Sequence, residues 1–222
     1  MLAAIVKAIA FYSYEVYVRP FELNIVGIRA DSIIANKFDD EIHVFFKNSQ
    51  QQWVHYRFAA TTDPGTYWLQ SPMHPQGTAI LSQGQYPGAY QIGLHRGKYN
   101  ALVQRRPVKV LRDYDRNAVL DFMNGISETG MFGINIHHAS VNGTTKEIDK
   151  YSAGCQVFAN INDFNLFMQL CERHRQLYDN SFTYTLIDKR AIARNEKKKM
   201  IFSVAGIGVG IGAGIIVYQL VK

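Results

Sequence analysis

The chain is poor in the residues that build metal sites and covalent staples. Its 222 residues include two cysteines, Cys155 and Cys171, which is too few for a disulfide framework or a zinc cluster. His43, His55, His74, His95 and His174 are scattered, and no pair of them has metal-ligand spacing. No metal and no other cofactor is therefore expected. Charge is also scarce, at 19% of residues, and it is unevenly placed. Of the net +6, residues 189–199 contribute +5 and Lys222 +1, so segment 1–188 is neutral. A nucleic-acid groove would spread Lys and Arg over a face of the body, so a nucleic-acid partner is excluded. No internal repeat is visible. With 47% hydrophobic and 13% aromatic residues, the chain is able to bury a sizeable core and is not a disordered chain.

Charge is absent altogether from residues 200–221, MIFSVAGIGVGIGAGIIVYQLV. As a helix this run would reach about 33 Å, enough to cross a hydrocarbon core of about 30 Å. A buried core helix is the alternative. Gly206, Gly210 and Gly214 recur at steps of four, a spacing that lets membrane helices approach closely and offers a face for homo-oligomers. Segment 189–199 reads as a basic juxtamembrane linker, which places the body on the cytoplasmic side of a cell membrane. At the other end, residues 1–20 read as a helix. Lys7 interrupts its apolar run and no cleavage site follows, so it is not a good secretory signal. It is expected to pack on the body or lie on a membrane surface.

Segment 21–188 is dominated by short runs rich in Val, Ile and aromatics, which predict strands at 23–28, 42–46, 53–59, 89–94, 108–112, 132–136, 155–159 and 182–187. The polar link between 42–46 and 53–59 suits a hairpin. Residues 61–88, full of Gly, Pro, Ser and Gln, read as a long functional loop or several tight turns. One helix is predicted over 163–177, with Asn162 as N-cap. Phe164, Phe167, Leu170 and Cys171 share one of its faces. Cys171 is therefore assigned to the core, and the two cysteines are expected to stay unbridged.

Two segments carry candidate chemistry: Gly133-Ile134-Asn135-Ile136-His137-His138 and Ser152-Ala153-Gly154-Cys155-Gln156. A cysteine that attacks an acyl group needs a base to take its proton, and histidine is the usual one. His137 ends an apolar run and Cys155 begins another, 18 residues later, so two neighbouring strands would bring them together. Gly154 lets the backbone turn sharply before the thiol. The amides around Gly154 and Cys155 are then candidates for an oxyanion hole. His138 is expected on the face opposite His137. His95 and Arg96 form a polar cluster upstream, either a cleft wall with Arg96 clamping a carboxylate or a solvated turn.

The spacing and the Ser-x-Gly-Cys frame resemble the catalytic domain of L,D-transpeptidases, whose signature is a His, a spacer, [Ser/Thr]-His-Gly-Cys, a helix and a closing strand. Here His137, Ser152, Gly154 and Cys155 stand at matching places over roughly 89–188. The sequence is similar to divergent phage or virion-type members. The family's second histidine is Ala153 in this chain, and the Arg or Asn usual after the cysteine is replaced by Gln156, Val157 and Phe158.

The resemblance implies a mainly β (α+β) fold, an L,D-transpeptidase-like β-sandwich with one helix after the cysteine, to which the apolar ends of the chain add the N-terminal helix and the C-terminal transmembrane helix. It implies a cysteine acyl-enzyme acting on peptidoglycan stem peptides. Cys155 and His137 would be catalytic, Gly154 and Ser152 would position the oxyanion, and His95, Arg96, His138 and Gln156 would bind substrate. Water resolving the thioester makes a peptidase, and an amine makes a transpeptidase. A cytoplasmic body conflicts with a peptidoglycan substrate, unless the membrane lies inside a virus particle or is breached during lysis. The rivals are a catalytically dead fold serving as a membrane-anchored structural virion protein, and a cysteine peptidase or acyltransferase of cytoplasmic proteins.

Overall fold

The computed structural model describes residues 1–190. Helix α1 (Leu2–Phe11) leads into β1 (Asn24–Arg29), β2 (Asp40–Lys47) and β3 (Trp53–Thr61). Then come α2 (Thr66–Gln70), β4 (Thr78–Leu81), β5 (Gly84–His95), β6 (Tyr99–Gln104), β7 (Val108–Asp113) and β8 (Ser127–Gly130). The chain finishes with β9 (Ile136–His138), a 3-10 turn at Asp149–Tyr151, β10 (Gln156–Phe158), α3 (Ile161–Leu177) and β11 (Phe182–Asp188). The fold is mainly β, as expected, but the main sheet closes on itself instead of splitting into a sandwich. Eight strands form a barrel in the order β1-β11-β5-β6-β9-β10-β3-β2, and β4-β7-β8 form a separate sheet. Closure depends on two parallel pairs, β1 with β11 and β9 with β10.

Strand β2 shows how the sequence makes this wall. Ile42, Val44 and Phe46 alternate into the main core, while His43 and Phe45 face the other way. The predicted hairpin to β3 forms in full register. Its turn is held by the Asn48 side chain, whose Oδ1 accepts the N–H groups of Gln50 (3.0 Å) and Gln52 (2.9 Å). Helix α3 covers the core with Phe164, Phe167 and Cys171, so Cys171 is a core residue, and both cysteines are free thiols. The helix starts earlier than the periodicity suggested. Asn160, not Asn162, is the N-cap, because its extended backbone lets Oδ1 accept the N–H groups of Asn162 (2.7 Å) and Asp163 (3.4 Å).

Three further expectations change. The N-terminal helix ends at Phe11, well short of residue 20, and buries Ile5 and Ile9. The stretch 61–88 is not one loop but contains α2, β4 and the start of β5. The run 132–136 is not a strand, because Phe132 and Ile134 give their N–H groups to the Gln104 side-chain Oε1 (3.1 and 3.0 Å). Gly133 there takes a left-handed φ of +72°, and strand pairing begins only at Ile136. The expected membrane helix at 200–221 and most of the basic linker lie outside the described residues. Among the described residues, no helix is long and apolar enough to cross a membrane.

Candidate active site

Strands β9 and β10 run side by side, with Gln156 opposite Ile136 and Val157 opposite His137. Side chains alternate along each strand, so Cys155, just before β10, shares a face with His137. Both line a cleft of about 260 Å³ together with Trp68, His95, Arg96 and Asn135. A larger cleft of about 460 Å³ lies elsewhere, around Arg19, Arg106 and Tyr178, and contains no cysteine.

The turn that carries the thiol is built by contacts from the stretch that looked like a loop. Gly154 has φ +115° and a Cβ there would lie 2.2 Å from the Ala79 carbonyl oxygen on β4. Only glycine fits, both for its conformation and for that approach. Upstream, Gly65 donates its N–H to the Ser152 carbonyl (2.9 Å), and Trp68 Nε1 on α2 donates to the Lys150 carbonyl (3.0 Å). Ser152 is buried and holds the turn from inside. Its hydroxyl donates to the Cys155 carbonyl (2.8 Å) and accepts the Gly154 N–H (3.1 Å). The Gly154 amide expected in the oxyanion hole is thus already occupied.

The Cys155 thiol accepts the Asn135 backbone N–H (3.4 Å) and donates to the Gly133 carbonyl (3.5 Å). No hydrogen bond joins it to His137. Burial pushes the thiol up to about 11, against smaller lowering effects of the Asn135 N–H and Arg96. His137 is buried and its Nδ1 lies 2.8 Å from the His138 carbonyl oxygen. A carbonyl only accepts, so Nδ1 carries the proton, and in the neutral ring Nε2 is the lone-pair nitrogen. Burial, then His95, drives His137 down to about 3. At neutral pH the site therefore rests as thiol and imidazole, not as an ion pair.

His95 comes from the end of β5. Its ring stacks on His137 with centroids 4.1 Å apart and planes at 22°. Arg96 follows in a left-handed turn (φ +52°) and has no ion-pair partner among the described residues. On the other wall, Lys150 Nζ lies 4.5 Å over the Tyr67 ring. The lining includes Arg96 and Lys150 and neither Asp nor Glu, so the cleft favours an anionic ligand.

Two residues expected to bind substrate are elsewhere. Gln156 is fully buried, accepting from the Tyr184 hydroxyl (2.8 Å) and donating to the Gly154 carbonyl (3.2 Å). Its backbone neighbour Cys155 faces the cleft, and alternation turns Gln156 inward. His138 packs between Tyr99 and Phe164, at 4.3 and 5.0 Å between centroids, on the face opposite His137 as alternation requires. Sequence reasoning missed Asn135, which touches both the thiol and His95. Its place two residues before His137, hence on the same face of an extended strand, was the available signal. No three His, Cys, Asp or Glu residues are grouped to hold a metal among the described residues. Comparison of the chain with family models, curated proteins and solved structures finds no match.

Proposed function

We propose that the chain is a peptidoglycan-acting cysteine peptidase or transpeptidase of the L,D-transpeptidase type, with the eight-stranded barrel as its scaffold. One observation carries the reading: a histidine with its Nδ1–H committed to a backbone carbonyl shares a cleft with a free thiol. That tautomer leaves Nε2 able to accept a proton, which is what a thiol nucleophile requires. In the reaction, the thiol leaves the Gly133 carbonyl, and His137 Nε2 takes its proton as Sγ attacks a stem-peptide carbonyl. The Cys155 N–H faces the developing oxyanion. The C–N bond then breaks, the amine leaves with the proton from His137, and a thioester on Cys155 remains. Water or a second amine attacks it, His137 again taking the proton and returning it to sulfur. Arg96 offers a site for a stem-peptide carboxylate, since nothing of opposite charge competes for it within the cleft.

The reading includes a membrane anchor at 200–221 and a lytic role in a phage particle, where an internal membrane reconciles the anchor with a cell-wall substrate. A catalytically dead structural virion protein is the second reading. What favours it is the resting thiol, which donates to Gly133 rather than to His137. The test is incubation of the full-length chain with purified peptidoglycan and mass spectrometry of the released muropeptides. New stem-peptide ends with the wild type, absent with Cys155→Ala, support the enzyme. Unchanged peptidoglycan supports the structural protein.

A further inference from the structure

The cleft contains two imidazoles, and the acyl-enzyme reading uses one. The hydrogen-bond chain behind His95 defines what the other presents. The Gln104 backbone N–H lies 2.9 Å from Asn135 Oδ1. Only a carbonyl oxygen can accept it, so the Asn135 amide has a single orientation. Its Nδ2 then faces His95 Nδ1 at 3.0 Å, and an amide nitrogen only donates. His95 Nδ1 is therefore the lone-pair nitrogen, and the proton of the neutral ring is on Nε2. His137 has the opposite tautomer, fixed by the His138 carbonyl. The two stacked rings thus offer the cleft one acceptor and one donor. His95 Nε2 has no partner among the described residues.

The thiol turn needs such a donor. Oxyanion stabilisation works through fixed donors placed before the reaction begins. Of the amides around the nucleophile, Gly154 gives its N–H to Ser152 Oγ, Gln156 gives its N–H to the Asn135 carbonyl (2.8 Å), and Cys155 N–H has no partner among the described residues. We propose that His95, as a neutral Nε2–H donor, supplies a second hydrogen bond to the oxyanion beside the Cys155 amide, and that Asn135 is the positioning residue that fixes its tautomer. His95 keeps its proton throughout. The donor function requires an uncharged ring so that His137 can take the thiol proton next to it. Burial, with Arg96 and His138, keeps His95 down at about 4. The role rests on the acyl-enzyme reading, but the tautomer does not.

The experiment has two arms, both on the full-length chain. Long-range proton–nitrogen NMR of the histidine rings reads the tautomers without substrate. His95 is expected as Nε2–H and His137 as Nδ1–H, and Asn135→Asp is expected to move His95 to Nδ1–H or to the charged ring. A wild-type His95 in the Nδ1–H form overturns the proposal. The kinetic arm uses His95→Phe, which keeps a stacked ring and removes the donor, and His95→Gln, which restores an N–H. Loss of one oxyanion donor lowers kcat by about 10²- to 10³-fold. We expect that loss in His95→Phe with KM little changed, partial recovery in His95→Gln, and a similar loss in Asn135→Asp. An unchanged kcat, or an effect on KM alone, overturns the donor role. Wild-type turnover by Cys155→Ala removes the acyl-enzyme reading instead, whatever the His95 variants do.

Discussion

The molecule contains a second stacked histidine pair, and setting it beside the first separates structural chemistry from candidate catalytic chemistry. On the outside of β2 and β3, His43 and His55 lie 5.1 Å apart with planes at 18°, close to the arrangement of His95 and His137. In both pairs, burial lowers the tendency of the rings to take a proton. The surroundings differ. His43 Nε2 faces Glu41 Oε2 at 2.8 Å and His43 Nδ1 faces His55 Nε2 at 2.9 Å. Glu41 is held in turn by Arg57. Both nitrogens of His43 are therefore engaged in a chain ending in an ion pair, which leaves that ring nothing to offer a substrate. In the cleft, no carboxylate is present, each ring has one nitrogen engaged and one open, and a thiol lies alongside. A histidine pair becomes a candidate for chemistry through the nitrogens left open, not through the pairing.

Variants that exchange these properties break the comparison, and the largest effect belongs to the cleft base. General-base removal typically costs about 10²- to 10⁴-fold, so His137→Ala should lower kcat by that range in a muropeptide-release assay. His43→Ala should leave kcat within about twofold, and a matching loss in both variants would erase the distinction. Next in size is Gly154→Ala. The forced left-handed backbone alone costs about 1–3 kcal/mol, and the clash with the Ala79 carbonyl adds to it. Denaturant unfolding should show a loss at the upper end of that range or beyond it.

The third test uses pH. A histidine whose folded value lies below its unfolded one binds protons more readily in the unfolded chain. Its destabilising effect is absent above the unfolded value of about 6.5 and grows as pH falls toward the folded value. For His137 that window runs down to about 3, and for His95 to about 4. Each group then steepens the loss of stability by up to about 1.4 kcal/mol per pH unit. His137→Gln should flatten unfolding free energies measured between pH 6.5 and 4 relative to wild type. An unchanged slope would mean that the ring is not buried uncharged. The smallest effect is at a residue that belongs to neither pair: Asn160→Ala removes the α3 cap and should cost about 1 kcal/mol without altering kcat, measured by the same unfolding and release assays.

The parts legible in the sequence were those fixed by local pattern. The Val, Ile and aromatic content of 42–46 gave β2, the three-and-four spacing of Phe164, Phe167 and Cys171 gave the helix, and the interval from His137 to Cys155 placed both residues beside neighbouring strands. The parts that were not legible depend on partners far along the chain. Barrel closure needs β1 to pair with β11, some 160 residues later, and no local signal encodes it. Ala79 and Gly65 support the thiol turn from a stretch whose composition reads as loop. The Gln104 side chain replaces a strand partner at Phe132 and Ile134, and a glutamine does not announce that role. The site's chemistry was carried by residue types, whereas its tautomers are set by backbone carbonyls and amides, which every sequence has.

Intact-protein mass spectrometry of the full-length chain, quenched in acid during turnover of peptidoglycan fragments, tests the acyl-enzyme directly. The expected result is an added mass equal to the stem-peptide acyl group, localised to Cys155 by peptide mapping, lost on treatment with hydroxylamine and absent in Cys155→Ala. Turnover without any adduct on Cys155, or an adduct that persists in Cys155→Ala, would contradict it.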